Sequence, residues 1–150
     1  MILFLDFDGV LHPEPCPEDG KFFCNLSALE AILRDFPAVE IVISSMWRFT
    51  HTQVELQALF SADIAERIVG VTPDRCDVSY LFPVVGSYVH HAEIEGWLRQ
   101  SDRAREPWLA LDDSACLFKP FLPNLIRCDP RLGLDRTTGD LLREKLKQLC

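Results

Sequence analysis

Asp6 and Asp8 close an apolar run, Ile2-Leu3-Phe4-Leu5, and Gly9 follows them. Carboxylates are disfavoured in strands and among apolar neighbours unless something offsets their charge. A pair at i and i+2 after a first strand therefore points to a cation and a reaction at that strand's end. Two later apolar runs end in a similar way. Ile41-Val42-Ile43 leads into Ser44-Ser45, and Leu109-Ala110-Leu111 leads into Asp112-Asp113. Carboxylates attack electrophiles or hold hard cations through oxygen, and hydroxyls donate hydrogen bonds to anions.

The elements that must position these residues follow from periodicity. Ile2–Leu5 and residues 39–43 and 107–111 are apolar runs of strand length, as for strands covered on both faces. Leu125–Cys128 predicts a further short strand, and 64–71 a short helix and a short strand. Leu26, Leu29, Ile32, Leu33 and Phe36 have helical spacing, with Asn25 or Ser27 as cap and Pro37 as the stop. A helix follows Thr50 or Thr52, another spans about 90–101, and an amphipathic helix capped by Thr137 or Thr138 closes the chain. Residues 10–24, with three prolines after Leu11, predict a flap. Strands alternating with helices imply an α/β fold with a mostly parallel, doubly wound sheet, in one domain over 1–150. Ligands bind off the carboxyl ends of such strands, where Asp6, Ser44 and Asp112 all fall.

Asp6-x-Asp8-Gly9-Val10, Ile41-Val42-Ile43-Ser44 and Leu109-Ala110-Leu111-Asp112-Asp113, in this order, resemble the motifs of the haloacid dehalogenase (HAD) superfamily of phosphohydrolases. Ser44-Ser45-Met46-Trp47-Arg48, Ala92-Glu93-Ile94-Glu95-Gly96-Trp97-Leu98 and the stretch from Asp129 to Leu134 are similar to a compact group, the HAD domains attached to RNA-repair proteins. The resemblance implies a Rossmann-like fold and a Mg²⁺-dependent phosphomonoesterase. Asp6 would be the nucleophile that forms an aspartyl-phosphate, and Asp8 the general acid and then the base. Ser44 would donate to the phosphoryl oxygens. Mg²⁺ would be held by Asp6, the Asp8 carbonyl and Asp112, with Asp113 beside them. Gly9, which permits the turn, Ser45 and Arg48 are candidates for contact with substrate.

The family places a Lys or Arg between its second and last motifs, but no Lys occurs from 22 to 118. His90, beside His91, stands nearest that position, and Arg48 and Arg75 are the other candidates. Neither connection that could carry a large cap has room for one, so the site is expected to be open. An open site suits a large phosphorylated substrate such as a nucleic-acid end. The alternatives are a phosphotransferase and a catalytically weak phosphate-binding or interaction module. His12 begins the flap, where a plain loop role is favoured over one facing the site, and Trp97 and Trp108 are assigned packing roles. Trp47 lies near the site's edge, and Arg99, Arg103 and Arg105 read as a solvated helix end.

With 150 residues, 48% of them apolar, the chain can bury a core. Its net charge of −8 disfavours a broad basic face for nucleic acid, though not a local site. It has no run of 18 apolar residues, so no membrane span is expected. Six cysteines without a C-x-x-C pair give no zinc signature, and a reducing cytoplasm is the simpler setting. Cys116 and Cys128, in apolar surroundings, are expected to be buried thiols.

Overall fold

A computed structural model describes residues 1–17, 19–74 and 88–150. Five strands form one sheet: β1 (Ile2–Leu5), β2 (Glu40–Ile43), β3 (Ile68–Val71), β4 (Trp108–Asp112) and β5 (Leu125–Arg127). Their order is β3-β2-β1-β4-β5, and every pairing is parallel. The sheet is thus fully parallel, more uniform than the sequence required. Among the described residues five helices accompany it: α1 (Leu26–Arg34), α2 (Gln53–Gln57), α3 (Ala62–Ala65), α4 (Val89–Gln100) and α5 (Arg136–Leu149).

Strand pleating sends alternate residues to opposite faces. Leu3, Leu5, Ile41, Ile43, Leu109 and Leu111 pack with Leu29, Leu33, Leu142 and Leu146 from α1 and α5. Ile2, Phe4, Val42 and Ala110 pack instead with Ile94 and Leu98 of α4 and with Phe118. Coverage of both faces is why these strands are apolar along their length, with Glu40 and Asp112 only at strand ends. Trp97 and Trp108 meet the Phe4 ring edge-on at 5.7 and 5.8 Å, which fits their expected packing roles.

The caps differ in part from expectation. Thr52 makes a full capping box with Glu55 at the start of α2. Asp135, not Thr137 or Thr138, caps α5, accepting from the Thr138 N–H at 2.8 Å. Asn25 precedes α1, but its amide donates to the carbonyls of Val10 and Leu132 and so ties down the flap. Arg103 is no solvated helix end: it pairs with Glu106 and Glu40. Cys128 is buried, whereas Cys116 is exposed, because it lies in the 3-10 turn that leaves β4 rather than in the sheet.

The connections explain the openness. Residues 7–17 and 19–25 form a turn and a flap with a 3-10 turn at Asp19–Lys21. Among the described residues, α2, α3, β3 and α4 occupy the path from β2 to β4, with no cap domain. No helix of the described residues is long and apolar enough to cross a membrane.

Candidate active site

From β1 the chain runs to β2 and β3 on one side, and it then returns to place β4 on β1's other side. The reversal opens a crevice beyond the carboxyl ends of β1 and β4, where doubly wound sheets bind ligands. Register levels the ends: Leu5 pairs with both Ile43 and Leu111. Asp6, Ser44 and Asp112 therefore reach the same edge. The Asp6 N–H donates to the Leu111 carbonyl at 3.1 Å, and the Ser44 N–H donates to the Leu5 carbonyl at 2.9 Å.

Gly9 has φ 67°, a left-handed conformation that costs other residues energy. A Cβ there would also stand 2.4 Å from Asp113 Oδ2. Glycine thus lets the turn after β1 close against the end of β4. Its observed part is this close approach.

Oxygens of Asp6, Asp112 and Asp113 lie within 4.8 Å of one another. The Asp6 side chain accepts from the Phe7 N–H at 2.7 Å. Burial and the facing Asp112 carboxylate push the Asp6 carboxyl up to about 8, against the pull of the Phe7 N–H, His90 and the Ser45 hydroxyl. Burial also raises Asp113, aided by Asp112 and opposed by its bond to Ser114. Clustered carboxylates that resist ionising together are a donor set for a hard divalent cation, which would relieve their repulsion. The residues present therefore fit Mg²⁺.

His90, at the first turn of α4, hydrogen-bonds through Nδ1 to Asp112 Oδ2 at 2.8 Å. Burial opposes its protonation, but the bond to Asp112 and the charges of Asp112, Asp6 and Glu93 outweigh it, and its pKa is raised. The other Asp112 oxygen accepts from the Ser114 N–H at 2.8 Å. His91 is turned elsewhere and pairs with Glu95 at 3.2 Å.

Arg48 does not face the crevice. Its guanidinium is buried, forms an ion pair with Glu93 of α4 at 2.8 Å, and donates to the carbonyls of Ser44, Ser45 and Thr72. This corrects its expected contact with substrate: Nε and Nη1 donate to backbone carbonyls and Nη2 pairs with Glu93, which ties the loop after β2 to β3 and α4. Arg75 lies outside the described residues. Of the two serines, Ser45 is the one whose hydroxyl acts on the Asp6 carboxyl. Ser44 is buried on the same edge, and its carbonyl is held by Arg48.

Asp8 has partners that sequence reasoning did not assign. His12 Nε2 lies 2.9 Å from its Oδ1, and Trp47 Nε1 lies 3.1 and 3.2 Å from its two oxygens. His12 is fully buried, so its plain loop role is corrected. The available signals were its place four residues after Asp8 and Trp47's place just past the serines. Beyond Asp112, whose register neighbour on β5 is Arg127, a cavity of about 470 Å³ opens at the same edge, lined by Arg127, Cys128, Asp129, Pro130 and Arg131.

Comparison with curated proteins and with solved structures returns no match. A family model does match: that of the HAD domain in Swiss Army Knife RNA repair proteins, over residues 2–138. The match spans the aspartates of β1, the serines of β2 and the aspartates of β4, and the chain belongs to this HAD family.

Proposed function

We propose that this HAD domain is a Mg²⁺-dependent phosphomonoesterase that works through an aspartyl-phosphate on Asp6 and acts on a nucleic-acid end. The carrying observation is the buried Asp6 carboxylate, set within 4.8 Å of Asp112 and Asp113 at the reversal of strand order. The open edge and the family's RNA-repair setting support the substrate class.

An Asp6 oxygen bonds to phosphorus as the ester oxygen leaves with its electron pair. Asp8 gives that oxygen its proton. Water then attacks the aspartyl-phosphate, losing a proton to Asp8 and freeing Asp6 and phosphate. Ser45, with Ser44 beside it, donates to the phosphoryl oxygens. His90, held by Asp112 and facing Asp6, replaces the family's lysine as the counter-charge. Asp6, Asp112 and the Asp8 carbonyl would hold Mg²⁺, with Asp113 beside them; when bound, it neutralises charge on the carboxylates and on phosphate.

The test is turnover of p-nitrophenyl phosphate. We expect activity with Mg²⁺ that is lost with chelator and in Asp6→Asn. Robust turnover by Asp6→Asn, or by metal-free protein, would overturn the reading. The phosphate-binding module is favoured if wild type neither turns over the ester nor takes a beryllium-fluoride adduct at Asp6.

A further inference from the structure

The two Asp8 oxygens are held unequally. Oδ1 faces two donors, His12 Nε2 at 2.9 Å and Trp47 Nε1 at 3.1 Å, whereas among the described residues Oδ2 faces only the shared Trp47 N–H at 3.2 Å. Each carboxylate oxygen has two lone pairs. Oδ1 therefore takes the His12 bond and a share of the Trp47 N–H, while Oδ2 takes only the other share and keeps room for a proton. The Asp8 side chain is 33% exposed, so the carboxyl is not sealed from the open crevice.

The surroundings fix this orientation. Phe23 N–H donates to His12 Nδ1 at 3.4 Å, which leaves the ring's proton on Nε2, facing Asp8. Phe23 has φ 60°, an uncommon conformation for a bulky residue and one that marks constrained backbone. The turn after β1 brings His12 back to bridge with Asp8. Phe22, Phe23 and Trp47 surround the His12 ring with centroids 4.9 to 6.2 Å away. Trp47 in turn packs against Phe7 and Phe23. A histidine placed only to fill a core needs no carboxylate partner, and here two separate segments aim N–H groups at one carboxylate.

We propose that His12 and Trp47 are positioning residues for the general acid: they reserve Asp8 Oδ1 as an acceptor and direct the transferable proton to Oδ2. This rests on the phosphomonoesterase reading above. In the first step the bond from phosphorus to the ester oxygen breaks, and the departing oxygen takes the proton from Oδ2. In the second step the water that bonds to phosphorus gives a proton back to Oδ2 as the bond from Asp6 to phosphorus breaks.

Dependence on the leaving group tests this. p-Nitrophenolate departs readily without a proton; phenol, with a pKa near that of tyrosine at about 10, needs one. Trp47→Phe keeps an aromatic ring but deletes the pyrrole ring with its N–H, and His12→Gln keeps a donor that His12→Ala lacks. Folding of each variant is checked by circular dichroism. We expect Trp47→Phe and His12→Ala to lose about 10²-fold in kcat on phenyl phosphate and about tenfold less than that on p-nitrophenyl phosphate. His12→Gln should recover part of the loss. In an Asp8→Asn background, His12→Ala should add little further loss on phenyl phosphate, because the acid it positions is already gone. Equal losses on both esters would mean a merely structural role and overturn the inference. Failure of wild type to hydrolyse either ester would overturn the phosphatase reading itself, and this inference with it.

Discussion

At the residue scale, Asp6 is placed for reaction at a cost to the fold. Its carboxyl is buried and faces Asp112, so the folded chain holds its proton more tightly than the unfolded chain does. A carboxyl whose folded pKa is raised supports the native state fully below its unfolded value, and that support is lost as pH rises through the folded value. For Asp6 the window runs from 3.8 to about 8. Asp6→Asn, which cannot ionise, is therefore expected to raise the melting temperature of the metal-free protein, and to raise it more toward the alkaline end of this window. Melting curves of both proteins across pH, with chelator present, check it. A gain independent of pH would show that ionisation of Asp6 is not what strains the site.

At the scale of elements, the loop after β2 is organised by Arg48 rather than by substrate. Its fork bonds the carbonyls of Ser44 and Ser45 at the end of β2 and of Thr72 just past β3, and pairs with Glu93 on α4. This fixes the path of Ser45 past Asp6 and of Trp47 past Asp8. Breaking a buried ion pair by removing one partner leaves an uncompensated charge, at a cost of about 3–5 kcal/mol. Arg48→Ala is expected to lose roughly that much stability in denaturant titrations. Arg48→Lys should also lose much of it, since an ammonium cannot span the guanidinium's several acceptors. A variant with native stability and only a raised KM would restore Arg48 to a phosphate-binding role.

The same scale shows what could be read along the chain and what could not. The three strands carrying the motifs were legible because burial on both faces makes them continuous apolar runs, and Asp6, Ser44 and Asp112 were legible because they end those runs. The orientation of a single long side chain was not. Arg48 follows the serines directly and was equally compatible with facing phosphate or facing Glu93, a residue 45 positions away in sequence. Ser44 and Ser45 are adjacent, and only the bend after β2 decides whose hydroxyl acts on Asp6.

At the scale of the whole molecule, a chain of net charge −8 concentrates three carboxylates at the reversal point of its sheet. A cation bound only by the native state stabilises by RT ln(1 + [L]/Kd), about 2.7 kcal/mol at a hundredfold excess over Kd. Titrating Mg²⁺ into metal-free protein is therefore expected to raise its melting temperature, and much less so in Asp112→Asn. An equal shift in both proteins would place the ion elsewhere.

The sequence by itself determined the class of fold, the edge of the sheet at which the chemistry lies, and the aspartates and serines that meet there. These follow from local rules: apolar period, strand length and the cost of carboxylates in apolar company. Only the tertiary structure decided the company each residue keeps. It turned Arg48 inward to Glu93, set His90 on Asp112, and brought His12 and Trp47 from two separate segments onto the Asp8 carboxylate. Pairings of this kind depend on register, turn geometry and packing between segments far apart in sequence, and no local pattern encodes them.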